Sequence, residues 1–186
     1  MPELAEHLRE LEASVRRLAE KSEHYADAYS DAMECLDLLI TTDPGTGALS
    51  WRNFVETLRT EYYRSRRHGL PISLLEIVMT GLEALGAQRG EAAVDGFLSA
   101  LIERLTKFIR PIDPIGRLGD GRFAALLPGT PATGAKIVAE RLTKAIDDLL
   151  DEIGGRGIGI EASFAVRDIN TEDASLDAVL ADLVKA

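Results

Sequence analysis

Arg110 and Asp113 stand three residues apart in the stretch Arg110-Pro111-Ile112-Asp113-Pro114. An arginine carries a planar fork of N–H donors that fits a phosphate or the O6/N7 edge of guanine, and a carboxylate accepts hydrogen bonds from base N–H groups. The two prolines stiffen the turn, so less freedom is lost on binding. A pair of residues at this spacing is chemically suited to a ligand that carries phosphate and base groups. The alternative is a surface ion pair that contributes almost nothing to stability.

A second candidate site follows a few residues later, at the turn signal Gly119-Asp120-Gly121. Apolar residues precede this turn at Pro114-Ile115 and follow it over residues 123–127. Two short strands joined by a tight turn, a β-hairpin, are therefore predicted. Its tip carries Asp120 and is directly followed by Arg122. Loop tips held by a rigid scaffold often carry functional side chains.

Helices and strands must surround this hairpin to hold it. Ser50 is an N-cap residue for a helix over residues 50–67, closed by Gly69, and the apolar run 72–79 predicts a central strand. A helix over 91–109 has a buried stripe at Val94, Phe97, Leu98, Leu101, Leu105 and Phe108. The remaining predicted elements are a helix over 132–150, a strand over 158–166 and a short helix from 175 to the C-terminus. This order predicts an α/β sandwich.

The first forty residues show an unbroken heptad pattern. Its apolar and polar seam positions are Leu4, Leu8, Leu11, Val15, Leu18, Ser22, Tyr25, Tyr29, Ala32, Leu36 and Leu39. A seam kept over five repeats favours a coiled coil. We therefore expect residues 1–41 to form a long helix that joins two copies in a parallel homodimer, and residues 42–186 to form one domain. The alternative is a helix that folds back on its own domain.

The composition of the 186-residue chain argues against several classes of protein. A net charge of -10 gives no basic face for nucleic acid. The single cysteine, Cys35, forms no internal disulfide and fits a reducing cytoplasm, and with three histidines it makes no zinc site. No signal peptide or 18-residue apolar run is visible. We therefore expect a cytoplasmic protein without membrane or nucleic-acid contact.

Taken in order, these motifs resemble the GGDEF domain of diguanylate cyclases. The stretch Arg117-Leu118-Gly119-Asp120-Gly121-Arg122-Phe123 is similar to the signature hairpin of that family. Further matches in register are Asp43 with Thr46 and Gly47, Arg52, Phe54, Gly90, Asp95, Leu127-Pro128 and Ala139-Glu140-Arg141. The resemblance covers residues 43–166 and implies the palm fold of nucleotide cyclases, a central mixed sheet flanked by helices.

The resemblance also implies that the active site is degenerate. Members of the family condense two GTP molecules and hold Mg²⁺ through carboxylates, because triphosphate chemistry needs hard oxygen ligands. Val78 and Arg122 occupy two of the positions where the family has carboxylates. Glu83 stands in place of a lysine, and Gly86 in place of an asparagine that reads guanine. Of the two guanine-reading residues, only Asp95 remains. We expect no metal, no magnesium requirement and no catalytic residue. The degenerate positions are Val78, Gly86, Asp95, Gly119, Asp120, Gly121, Arg122 and Phe123. A metal site rescued by Glu76 and Asp120 is the alternative.

The stretch from Arg110 to Asp113 resembles the inhibitory Arg-x-x-Asp site of the same family, where cyclic di-GMP binds. Arg141 stands at the spacing of the third residue of that site. The resemblance implies a cyclic di-GMP receptor that binds its ligand through Arg110, Asp113 and Arg141, passes a signal to a protein partner that the sequence does not name, and is no longer an enzyme. A ligand-independent dimerisation or interaction module is the alternative, and a residual cyclase is the third possibility.

Overall fold

The computed structural model describes residues 14–19, 21–30, 33, 41–169 and 175–185. The chain divides into two compact units, Met1–Ile40 and Thr41–Ala186. The first is helical where it is described, and the second is an α/β domain.

In the first unit, residues 14–19, 21–30 and 33 are helical, and we call this segment α1. Five residues of the heptad seam lie in it, and all five are exposed: Ser22, and at 64–69% exposure Val15, Leu18, Tyr25 and Tyr29. The seam leucines 4, 8, 11, 36 and 39 and Ala32 lie outside the described residues. The coiled-coil dimer therefore stays a prediction.

The second unit contains the predicted hairpin at the centre of its chain order. Its elements, within the described residues, are α2 (Trp51–His68), β1 (Ile72–Thr80), α3 (Leu82–Arg89), α4 (Glu91–Thr106), β2 (Ile115–Gly119), β3 (Arg122–Pro128), α5 (Ala132–Ile153), a 3-10 helix (Gly155–Ile158), β4 (Glu161–Asp168) and α6 (Leu176–Lys185).

The four strands form one sheet in the order β2-β3-β1-β4, and every neighbouring pair is antiparallel. The palm-like α/β fold predicted from the sequence is confirmed. The sheet is less mixed than expected, because the described residues add only one parallel bridge, between Leu49 and Gly116. The register places Val78 of β1 directly opposite Arg122 of β3.

Apolar side chains cover both faces of the sheet, since side chains alternate along a strand. Leu75 and Ile77 of β1 point into a core shared with α4 and α5. Leu74 points to the other face, where α2 and α6 supply the partners, among them Phe54 and Leu183. Glu76 and Val78 lie on this second face. The second core therefore borders the two β1 positions that the sequence analysis considered as metal-binding positions.

Local sequence signals explain the ends of α2 and the tightness of the hairpin. The Ser50 side chain accepts a hydrogen bond from the backbone N–H of Asn53, and Gly69 ends the helix in the left-handed region at φ 62°. In the hairpin, Gly121 has φ +66°, and a Cβ there would lie 2.7 Å from the carbonyl oxygen of Met79. Glycine is therefore required where the turn meets the end of β1.

Three elements differ from the predicted ones. The prediction had no helix over Leu82–Arg89, because eight residues with few apolar positions show little periodicity. The helix α4 ends at Thr106 rather than at 109, and Phe108 is 38% exposed instead of buried. β4 begins at Glu161, because residues 155–158 form the 3-10 helix.

Candidate functional site

The stretch from Arg110 to Asp113 forms a tight turn between α4 and β2. The N–H of Asp113 donates to the carbonyl of Arg110 at 2.9 Å, and Pro111 occupies the second position of the turn, where its fixed φ fits. One carboxylate oxygen of Asp113, Oδ2, accepts two hydrogen bonds from Arg110, from the backbone N–H at 3.1 Å and from Nε at 3.0 Å. The turn therefore brings the two predicted residues together.

The Asp113 carboxylate is buried and only half satisfied. Its side chain is 1% exposed, whereas that of Arg110 is 50% exposed. The other oxygen, Oδ1, is buried without a hydrogen-bond partner among the described residues. A buried carboxylate oxygen without a donor destabilises the ligand-free state. The site therefore contains a buried acceptor that the described residues leave unsatisfied.

Arg110 also reaches across to the loop that follows β3. Its Nη2 donates to the hydroxyl oxygen of Thr130 at 2.6 Å and to the carbonyl of Pro128 at 3.4 Å. Two nitrogen atoms of the guanidinium are thus fixed by hydrogen bonds, Nε by Asp113 and Nη2 by this loop. Among the described residues, Nη1 makes no hydrogen bond, so its two N–H groups are available to a ligand.

Two clefts of about 240 Å³ each adjoin this turn. The first lies toward α2 and is lined by residues that include Arg64, Leu70, Arg110 and Ile112. The second lies toward α4 and is lined by residues that include Ile102, Arg110, Asp113 and Leu49. Arg110 therefore lies between two hollows with apolar walls. A flat base can enter such a hollow while the arginine contacts phosphate.

Arg141, the third predicted ligand-binding residue, lies exposed on α5. It lines neither cleft, and no contact joins it to Arg110 or Asp113 within the described part of the chain. It lies nine residues into α5 from Ala132, about 14 Å along the helix axis. A ligand that touches both Arg110 and Arg141 would have to span the surface between them.

At the signature hairpin, Arg122 points to the face of the sheet that α6 covers. Its Nη2 donates to the carbonyl of Leu183 in α6 at 3.0 Å, while its Nε is buried without a partner among the described residues. Val78 lies opposite and offers no lone pair. The register thus places a hydrocarbon side chain and a cation opposite each other at these two positions.

Glu76 is the nearest carboxylate on the same strand face, and an arginine neutralises it. Its side chain is 6% exposed and accepts hydrogen bonds from Arg167 of β4, from Nε at 3.2 Å and Nη2 at 3.0 Å. Arg167 also pairs with Asp182 of α6 through Nη1 at 2.8 Å. The carboxylate considered for a rescued metal site is therefore held in a buried ion pair. These residues do not fit Mg²⁺.

Asp95 and Asp120 lie apart from Val78, on the lining of another cleft of about 320 Å³ that also includes Glu83 and Gly121. Gly86 is absent from that lining; a Cβ there would lie 3.2 Å from a carboxylate oxygen of Glu91. Among the remaining positions that the sequence predicts to be degenerate, Gly119 ends β2 and Phe123 is fully buried in the core. No group of three or more His, Cys, Asp or Glu side chains within the described residues is placed to hold a metal ion.

Asp43 ties the start of the domain to the hairpin. Its Oδ1 accepts from the backbone N–H and hydroxyl of Thr46, at 2.9 and 2.7 Å, and from Nη1 of Arg117 in β2 at 2.8 Å. Burial raises the pKa of the Asp43 carboxyl, but the hydrogen bonds from Thr46 and the charge of Arg117 outweigh burial and leave the pKa below its ordinary value. The carboxylate is therefore ionised at neutral pH and orients the strand that leads to the signature turn.

A model of the family described as diguanylate cyclase, GGDEF domain, matches residues 40–182. The chain is a GGDEF-domain protein. Over 114 residues it is 31% identical to the probable diguanylate cyclase DgcC of Escherichia coli. This match covers 61% of this chain and 31% of that protein. Over 167 residues it is 28% identical to the diguanylate cyclase DgcP of Pseudomonas aeruginosa. This match covers 88% of this chain and 25% of that protein.

Among solved structures, the GGDEF domain of DgcB from Caulobacter crescentus, in complex with cyclic di-GMP, superposes with a TM-score of 0.61 at 17% identity. The match covers 78% of this chain and 84% of that one, and it supports the fold alone. The chain spans only 25–31% of the length of the two curated relatives. Membership places it in a family that takes part in cyclic di-GMP signalling. No helix in the described ranges is long and apolar enough to cross a membrane.

Sequence reasoning missed two groups of residues in this GGDEF domain. One is Arg167 with Asp182: Arg167 neutralises Glu76 and also pairs with Asp182, which links the strand to α6. The other is Thr130, which binds Arg110. An unpaired glutamate in an otherwise apolar central strand was the available signal for the first group, because a buried charge requires a partner. The second had no signal, since a loop threonine is an ordinary residue.

Proposed function

We propose that this GGDEF domain is a cyclic di-GMP receptor that makes no cyclic di-GMP itself. The ligand binds at Arg110 and Asp113, with Arg141 as a further contact from α5. The observation that carries the proposal is the Asp113 oxygen Oδ1, which is buried without a donor among the described residues and lies beside a half-exposed arginine. A guanine N–H group satisfies this acceptor, and the free N–H groups of Nη1 suit a phosphate oxygen or the guanine O6.

The loss of catalysis rests on charge. Mg²⁺ needs oxygen ligands, and the positions in question hold Val78, Arg122 and a Glu76 that is already paired with Arg167. The guanidinium of Arg122 would also repel the cation. The binding site needs no metal, because its donors and acceptors match the ligand directly. We place its action in the cytoplasm, where a single unpaired cysteine is stable.

The exposed apolar side chains of α1, among them Leu18 and Tyr25, support a further part of the proposal, a parallel homodimer through the N-terminal helix. They also favour a second candidate function, a module that holds another protein through this helix and ignores the ligand. The two functions differ in one measurable respect, since only the receptor binds cyclic di-GMP.

Isothermal titration calorimetry with cyclic di-GMP tests the receptor. Arg110→Ala and Asp113→Asn should each lower the affinity by about thirty- to a thousand-fold, or roughly 2–4 kcal/mol, because each removes one partner of a charge-assisted contact. Asp113→Asn keeps the shape of the turn but replaces one acceptor with a donor. Arg141→Ala should weaken binding, whereas its matched control Lys144→Ala, exposed on the same helix, should not.

Arg122→Ala, at the signature hairpin, should also leave the affinity unchanged. If Arg122→Ala abolishes binding and Arg110→Ala does not, the dinucleotide sits on the signature hairpin and the assignment is wrong. If the unmodified protein gives no heat with cyclic di-GMP, the receptor proposal fails and the interaction module replaces it.

A further inference from the structure

We propose that Thr130 is a positioning residue for the ligand-binding arginine, and that it sets the affinity of the site without touching the ligand. This inference rests on the proposed receptor function. It assigns a role to the loop between β3 and α5.

The contact itself is short and internal. The Thr130 hydroxyl oxygen accepts from Nη2 of Arg110 at 2.6 Å and donates its own hydrogen toward the carbonyl of Pro128 at 3.3 Å. The Thr130 residue is 8% exposed, so little water competes for the hydroxyl. A hydrogen bond from a charged donor is stronger than a neutral one.

Thr130 is in turn fixed to the sheet. Its carbonyl oxygen accepts a hydrogen bond at 2.9 Å from the hydroxyl of Ser73, a fully buried residue of β1. Its methyl group lies where a Cβ on Gly134 would approach to 3.0 Å, so the glycine leaves room for this rotamer. A continuous chain of contacts thus runs from the central strand through Thr130 to the guanidinium.

This arrangement determines which donors the ligand meets. Three N–H groups of Arg110 are used within the protein. The Nε–H group donates to Asp113, and the two N–H groups of Nη2 donate to the Thr130 hydroxyl and to the Pro128 carbonyl. The two of Nη1 remain and point away from these partners, since the guanidinium is planar. A half-exposed arginine otherwise samples many rotamers, and ordering it on binding lowers the affinity. Thr130 supplies that order before the ligand arrives.

An opposite role is conceivable for the same contact. If the ligand had to take Nη2 away from Thr130, the threonine would be a latch that competes with the ligand. The two roles predict opposite signs. Loss of the hydroxyl weakens binding if Thr130 positions Arg110, and strengthens binding if Thr130 competes.

The test compares Thr130→Val with Thr130→Ser by calorimetry with cyclic di-GMP on the full chain. Valine keeps the shape and loses the hydroxyl, whereas serine keeps the hydroxyl. We expect Thr130→Val to bind roughly tenfold more weakly and Thr130→Ser to bind within about threefold of the unmodified protein. A role confined to folding would lower the melting temperature without this rescue pattern in the affinity.

Equal or tighter binding by Thr130→Val overturns the inference and leaves the receptor intact. No binding by the unmodified protein overturns the receptor itself. If Thr130→Val fails to fold, Ser73→Ala replaces it, because it removes the bond that fixes Thr130 and spares the hydroxyl. That variant should bind about threefold more weakly, and unchanged or tighter binding would overturn the inference.

Discussion

Arg167→Met should destabilise the domain strongly, because it leaves the Glu76 carboxylate buried and alone. Glu76 is 6% exposed on its side chain and receives two hydrogen bonds from the guanidinium. Removal of one partner from a buried ion pair costs about 3–5 kcal/mol. Arg167 is 35% exposed, so water reaches part of the gap, and we expect the lower end, about 3 kcal/mol.

The double variant Glu76→Leu with Arg167→Met should recover most of this loss. It replaces both charges with apolar groups of similar size, and such replacements are often neutral or stabilising. The new side chains lie on the face of the sheet where Leu74 already packs against α2 and α6. We expect the double variant to unfold within about 1 kcal/mol of the unmodified domain.

Urea unfolding at pH 7, followed by circular dichroism and extrapolated linearly to water, measures both changes. Arg156→Met is the matched control, since Arg156 also contacts two carboxylates but on an exposed surface, and its midpoint should not move measurably. A single variant as stable as the unmodified protein would show that Glu76 is not held as an isolated charge. A double variant as unstable as the single one would show that Arg167 acts through packing on α6 instead.

Three further predictions concern catalysis, assembly and pH. With GTP and Mg²⁺ the purified protein should form no cyclic di-GMP, and product that disappears in the Glu76→Gln or Asp120→Asn variant would revive a rescued metal site. Light scattering should give a dimer for the full chain and a monomer after deletion of residues 1–40; a monomeric full chain would remove the coiled coil. The folded pKa of Asp43 lies below its ordinary value of 3.8, so the stability that its carboxylate adds is present above that value and is lost as the pH falls through the folded pKa. Asp43→Asn should therefore unfold at lower urea than the unmodified protein at pH 7, by a margin that narrows as the pH falls below 3.8, and a pH-independent difference would contradict the role of charge.

The sequence predicted correctly those features that depend on residues close to one another in the chain. The ends of α2 follow from Ser50 and Gly69, and the tight turn follows from Gly121, because each signal acts within a few residues. The turn from Arg110 to Asp113 was predictable for the same reason, since proline fixes its second position. The family resemblance added the order of the elements, which local signals alone leave open.

Contacts between distant residues were not predictable in the same way. Glu76 and Arg167 are 91 residues apart, and their pairing depends on β1 and β4 being neighbours in register. The burial of Asp113 was also missed, because a carboxylate in a loop is normally solvated. The contact of Arg110 with Thr130 depends on where β3 ends relative to α4, which only the folded sheet decides.

The turn from Arg110 to Asp113 is the proposed ligand site, and we call it the binding turn. It lies at the opposite end of β2 from the signature turn, and we expect the two turns to act independently. β2 runs from Ile115 to Gly119, so about 17 Å of extended strand lies between the two turns. Substitutions farther apart than about 7–10 Å with no shared partner usually act independently. Arg110 contacts Asp113 and Thr130, whereas Arg122 contacts α6, and no residue belongs to both sets.

A double-mutant cycle on ligand binding measures this independence directly. The affinities for cyclic di-GMP of the unmodified protein, Asp113→Asn, Arg122→Ala and the double variant give one coupling free energy, which should be below about 0.5 kcal/mol. Asp113→Asn is the better partner for the cycle because it keeps the shape of the turn. A coupling above about 1 kcal/mol would mean that α6 and the signature hairpin transmit their state to the binding turn. In that case Arg122 would regulate binding at the proposed ligand site.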